Sequence, residues 1–528
     1  MLDGTGILPV EADVAVSGDR IAAVGRFKRS DGRLVVDAEG LMVAPGFIDI
    51  HTHSDLTLLY DPQGESMVRQ GVTTQVVGNC GLTPTPLGEG ALEDIKRSLS
   101  LLSAPVAWEW RSMGEYLQRM QAVRPSINVA SLVGHGTLRA AVMGFADRPP
   151  SSREMQAMQE LLDRTLAEGA IGMSTGLIYA PGRYADTAEL AQLSRVVAAR
   201  GGVYTTHLRS ERNGLFDAIG EAITIGRVAG LPVQISHLKL GGPSNAHQAA
   251  RALAMIEQAR AEGVAVSTDV YPYEAGSTML TALLPPWVHA GGTKALLERL
   301  SDPELRRRIR CEIIGNAPGW DSLIEGGAWE RVIVSAVPGK ANRRFEGQSL
   351  AEVAEQRQCD PAYALFDLLL EEHGEGNMLI FHSMEEDVHT VMRYPEAAIA
   401  SDGCAVAPHG ELAVGKVHPR YYGTFPKVLR MAAEGFMPMA EMVRKMTLLP
   451  ASQMGLCGRG QIAPGYFADL TIFNPQVVRD LATYADPHHF PQGIESVIVN
   501  GELTVHRGEH LGARSGKVFR AGTWVWEA

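Results

Sequence analysis

The stretch PGFIDIHTH, residues 45–53, decides how this chain is read. Phe47, Ile48 and Ile50, with Asp49 among them, form a strand-like segment of the length a buried strand needs. The segment leads into His51 and His53, one residue apart. At the two-residue period of a strand both imidazoles project to the same side, which suits two nitrogen ligands on one cation. A histidine pair can equally be a hydrogen-bonded structural feature, so its surroundings must decide.

Outward from this stretch, similar short segments recur and alternate with helical stretches. They cover residues 48–51, 74–78, 128–133, 170–175, 203–207, 233–237, 264–269 and 397–402. One intervening helix is plainly marked. Ser151 with Glu154 makes a capping box, Met155, Met158, Leu162 and Leu166 form an apolar stripe, and Gly169 stops it. Eight strands alternating with helices predict a closed (β/α)8 TIM-like barrel over residues 45–446. The two ends of the chain read differently. Strand-like segments around turns at 12–16, 21–25, 34–37, 468–473 and 497–501 predict a small β-sandwich domain built from 1–44 and 447–528. The charge-rich segment at about 284–377 interrupts the barrel rhythm. It is read as an insertion, either a lid over the barrel mouth or a peripheral addition.

Composition narrows the function. Of 528 residues, 45% are hydrophobic and 20% charged, as in ordinary soluble globular proteins. A formal net charge of -12 argues against nucleic acid as a main partner, because phosphate binding needs a concentrated basic surface. Five cysteines, Cys80, Cys311, Cys359, Cys404 and Cys457, are odd in number and widely spaced, which speaks against a disulfide framework. Residues 1–16 contain no basic region followed by an apolar one, and no apolar run approaches the roughly 20 residues of a membrane span. The expectation is a cytoplasmic protein with no membrane partner.

The strand ends carry the chemistry. His51 and His53 close the first segment, Cys80 follows the second, His207 ends the fifth, His237 the sixth and Asp402 the last. In such a barrel these ends converge on one face, where active sites form. His207 and His237, on adjacent strands, read as a ligand pair for zinc. Asp402 precedes Gly403 and is either a turn residue or a carboxylate that takes a proton from metal-bound water. Cys80 is either a small buried hydrophobe or a thiolate able to bridge two metals.

These residues stand within longer motifs: PGFIDIHTH (45–53), GVTTQVVGNCG (71–81), GAIGMSTGLIY (169–179), THLRSE (206–211), SHLK (236–239), DVYPY (269–273), SDG (401–403), HPRYYGTFP (418–426) and GYFADL (465–470). Together they resemble the amidohydrolase superfamily, and within it the N-acyl-D-amino-acid deacylase (D-aminoacylase) family, over nearly the whole chain. The cysteine in GNCG is the most specific piece. The resemblance implies a tight zinc held by Cys80, His207 and His237. It implies a second, weaker metal position near His51 and His53, with Cys80 and Asp402 shared. It makes Asp402 the general base and then the acid, and gives Lys239, Tyr271 and Ser277 the substrate's α-carboxylate. The implied reaction converts a small N-acyl-D-amino acid to a carboxylate and a free D-amino acid. Two alternatives stay open: a cyclic-amide hydrolase of hydantoinase or dihydroorotase type, and a non-catalytic scaffold. The motif DGTG stands at residues 3–6, so an initial strand that similar proteins carry is expected to be missing.

Overall fold

The computed structural model describes residues 1–88, 92–99, 104–315, 319–324 and 326–521. Its centre is a ring of parallel strands. We number them β1 (Phe47–Asp49), β2 (Val72–Val77), β3 (Asn128–Ser131, continuing through Leu132 into Val133–Gly134), β4 (Gly172–Gly176), β5 (Val203–His207), β6 (Val233–Ile235), β7 (Val266–Val270) and β8 (Ala397–Ile399). Each pairs in parallel with the next. The ring closes between β8 and β1 through the parallel bridge Thr52↔Gly403. At this seam Asp402 N–H donates to the His51 carbonyl at 2.9 Å, and His53 N–H donates to that of Gly403 at 2.8 Å. The eight-stranded barrel expected from the sequence is therefore formed, and three candidate site residues, His51, His53 and Asp402, lie on its closing seam.

The strands are buried along nearly their whole length because both faces are covered, and polar residues such as Gln75, Thr205 and Gln234 are buried among the apolar ones. Ile48, Val76, Ala130, Leu132, Ile171, Val203 and Ala398 belong to one buried cluster, and a larger one lies between strands and helices. The helix Ser152–Ala167 starts at Ser151, whose hydroxyl accepts from Glu154 N–H while the Glu154 carboxylate accepts from Ser151 N–H. It buries Met155, Met158, Leu162 and Leu166, the stripe read from the sequence. Ser151→Ala should lower stability by about 1 kcal/mol. A chemical-denaturation midpoint identical to that of the parent protein would mean that water replaces the cap fully.

The chain ends meet as expected. Met42–Pro45 pairs antiparallel with Leu470–Phe473, which continues into Ile494–Val499, Glu502–His506 and Glu509–His510. A hairpin, Asp13–Ser17 with Arg20–Gly25, packs Ile21 against Ile462, Ala468 and Leu470. Between β7 and β8 the chain builds a separate antiparallel sheet from Ala275–Met279, Val332–Ala336 and Asn377–Phe381. Helices pack on it around their own core, which includes Leu284, Trp329, Phe345 and Phe366. Its first strand begins before residue 284, and its last, the central strand of the three, ends after residue 377.

Candidate metal centre

Most candidate ligands sit just past the strands rather than in them. β1 ends at Asp49, β6 at Ile235 and β8 at Ile399, so His51, His237 and Asp402 belong to the following turns, and only His207 is a strand residue. The reason is backbone geometry. Cys80, His237 and Asp402 have φ of 54°, 33° and 48°, a left-handed conformation that cannot continue a strand. Such strain persists where the surrounding structure enforces it, and it concentrates at functional sites.

The turns aim the side chains at one point. Cys80 Sγ lies 3.3 Å from His51 Nε2, 3.5 Å from His237 Nε2 and 3.7 Å from His207 Nδ1. Zinc bonds of about 2.3 Å to sulfur and about 2.05 Å to nitrogen, at a tetrahedral angle, place the two donors about 3.6 Å apart. The observed spacings bracket that value, so the donor set fits a tetrahedral metal site. Asp402 Oδ1 joins it, 3.0 Å from His53 Nε2 and 3.4 Å from His51 Nε2. All six residues are buried.

Charge organises this cluster. Burial opposes ionisation of Cys80, but His51 and the contacts from His207 and His237 hold its thiol well below the ordinary value. A thiolate is the form that ligates metal. Burial also disfavours the Asp402 carboxylate, but the Arg420 guanidinium, with Nη2 3.0 Å from Oδ2, and then His237 and His51 hold it well below the usual range. Burial likewise works against protonated His53, yet its contact with Asp402, and then with Cys80, raises it to about 9. A bound cation would displace that proton, because ligating imidazole is neutral.

Behind the ligands stand carboxylates to which the sequence reading assigns no role. Glu211 Oε1 lies 3.4 Å from His207 Nε2 and 3.4 Å from His237 Nδ1, the nitrogens turned away from Cys80. Asp269 Oδ1 lies 3.3 Å from His51 Nδ1 and accepts from His237 N–H at 2.7 Å. Carboxylates in these places fix the ring orientation of ligating histidines. Asp269 ends the 264–269 segment and could have been found by the logic applied to the other strand ends. Glu211 and Arg420 stand inside THLRSE and HPRYYGTFP, where a charge among residues that fold into the interior is the available signal.

His53, Cys80, His207, His237 and Asp402 of the cluster line a small open cavity of roughly 60 Å³. Of the three candidates for holding a substrate carboxylate, Lys239 and Ser277 line it. Lys239 Nζ already lies 3.1 Å from Glu211 Oε1. Tyr271 stands behind the wall, with its buried hydroxyl lacking a hydrogen-bond partner. A Cβ added at Gly276 would meet His382 Nε2 at 2.8 Å, closer than carbon normally comes, and the Tyr271 hydroxyl at an ordinary 3.4 Å.

A closed parallel barrel with imidazoles, a thiolate and a carboxylate gathered at the C-terminal ends of its strands defines a metal-dependent amidohydrolase. A profile of the amidohydrolase family matches residues 34–312 and 341–505. The chain is 36% identical over 521 residues to the D-aminoacylase of Alcaligenes xylosoxydans xylosoxydans, covering 98% of this chain and 96% of that protein. It is 36% identical to the N-acyl-D-glutamate deacylase of the same organism, covering 95% and 91% respectively. The crystal structure of N-acyl-D-glutamate deacylase from Bordetella bronchiseptica, complexed with zinc and a phosphonate mimic of the tetrahedral intermediate, superposes with a TM-score of 0.82. That pair is 33% identical, with 98% of each chain covered. The chain belongs to the amidohydrolase family, within its N-acyl-D-amino-acid deacylase branch.

Proposed function

We propose that this protein is a zinc-dependent deacylase that hydrolyses the amide bond of N-acyl-D-amino acids, releasing a carboxylate and a free D-amino acid. The observation that carries this reading is the meeting of three imidazole nitrogens around the Cys80 sulfur, with Asp402 beside them. Cys80, His207 and His237 would hold the tight zinc, and His51 and His53, sharing Cys80 and Asp402, a weaker one. Zinc bound there supplies a Lewis acid that polarises the scissile carbonyl and lowers the pKa of its water.

The rest falls to the chain's own residues. Asp402, kept ionised by Arg420, accepts a proton from the attacking water and returns it to the departing nitrogen. Lys239, Ser277 and Tyr271 take the α-carboxylate, and Tyr271 has an unpartnered hydroxyl to donate. Lys239 must then share its charge with Glu211. The insertion between β7 and β8 contributes Leu323 and Ile380 to the cavity wall, which favours the lid reading over a peripheral addition.

Residues 1–44 with 447–528 make the small β domain of this proposal, and 45–446 the barrel. Five free cysteines support a reducing, cytoplasmic setting. Among the described residues no helix is long and apolar enough to cross a membrane. The cyclic-amide alternative loses ground because the relatives matched over nearly the full chain are deacylases. The scaffold alternative is disfavoured because all six candidate ligands converge. The test is a screen of N-acetyl-D-amino acids, N-acetyl-L-amino acids and hydantoins with zinc-loaded protein, scored for free amine or ring opening. Release of D-amino acids is expected; turnover confined to hydantoins would overturn the reading.

A further inference from the structure

We infer that the substrate side chain occupies an apolar, uncharged subsite, so that the preferred substrates are N-acyl derivatives of neutral D-amino acids such as leucine or methionine. This rests on the deacylase reading and names the substrate class of the same site. Beside the polar cluster the lining includes Leu82, Leu99, Ile178, Met279, Leu323 and Ile380, interspersed with the hydroxyls of Ser98, Tyr179, Ser277 and Thr278. Hydrocarbon leaving water for the apolar part of this surface gains, while a carboxylate brought there loses its hydration and meets hydroxyls but no unpaired counter-ion.

Cations are scarce at the cavity. Among the described residues Lys239 is the only Lys or Arg lining it, and it faces Glu211 at 3.1 Å. His382 also lines the cavity, but burial, and then Lys239, keep it neutral, with a pKa near 3. Arg212 lies behind the wall and donates to the Leu323 carbonyl at 2.9 Å. Arg97 lines an adjoining hollow and is not among the residues lining this cavity. None of the residues outside the described set is Lys, Arg or His. Glu211 and Asp402, both lining the cavity, would repel a second substrate carboxylate. A site for D-glutamate or D-aspartate needs a counter-ion on the wall, and this wall has none to spare.

The test compares kcat/KM of the zinc-loaded protein for the N-acetyl derivatives of D-leucine, D-methionine, D-glutamate and D-aspartate. The neutral pair should exceed the acidic pair by at least about 100-fold. Equal rates, or rates favouring the acidic pair, overturn the inference and leave the deacylase reading standing. Hydrolysis of none of the four overturns both. A gain-of-charge arm places a cation on the wall. Leu323→Arg, with Met279→Lys as a second variant should the first misfold, should raise the acidic-to-neutral ratio at least about tenfold. An unchanged ratio in both variants, folded and zinc-loaded, would show that this wall does not meet the side chain.

Discussion

Asp402→Asn is expected to keep its tightly bound zinc and to lose about a thousandfold in kcat, within the range of about 10²–10⁴ that a positioned acid–base group contributes. Asn is nearly isosteric with Asp and is among the residues that best tolerate the left-handed φ of 48° found here, so the turn should survive. The tight site is proposed to use Cys80, His207 and His237, none of which the substitution touches. What changes is proton chemistry. An amide cannot take the water proton that the carboxylate takes, and Arg420, buried and 3.0 Å away, no longer holds an anion in place. Zinc content by elemental analysis and kcat on the best substrate of the screen check both halves. Turnover within tenfold of the parent enzyme would place the base elsewhere.

Cys80→Ala should weaken zinc binding by more than the roughly 10–100-fold that changes behind the ligands cost, and activity should fall with it. The three imidazoles approach Cys80 at 3.3, 3.5 and 3.7 Å, so its loss removes the donor they share. The nitrogens of His207 and His237 that turn away from the sulfur face Glu211. The backbone at Cys80 is left-handed with either residue, so the loss should not be a folding effect. Circular dichroism checks that point, and competition with a chromophoric chelator measures the affinity. Full zinc retention in a folded Ala variant would take the cysteine out of the site.

Much of this molecule is legible in one dimension. Barrel strands buried on both faces are rich in apolar and β-branched residues, so the eight segments stand out between amphipathic helices such as Ser152–Ala167. Residues that ligate metal are few in kind, and at strand ends they are conspicuous; His51, His53, Cys80, His207, His237 and Asp402 could all be named before any coordinates were seen. The insertion was less legible. Its first and last strands, Ala275–Met279 and Asn377–Phe381, lie far apart in sequence yet pair with each other, and no local pattern reveals that antiparallel pairing.

The sequence by itself determined the fold class and the inventory of ligands, because hydrophobic period and residue type are local properties. Only the tertiary structure decided which groups support that inventory. Glu211 comes from the turn after β5, Asp269 from β7 and Arg420 from the helix Arg420–Ala433, and their pairing with His207, His51 and Asp402 depends on distances across the barrel mouth. Electrostatic interaction depends on separation and burial, and neither is written in residue order.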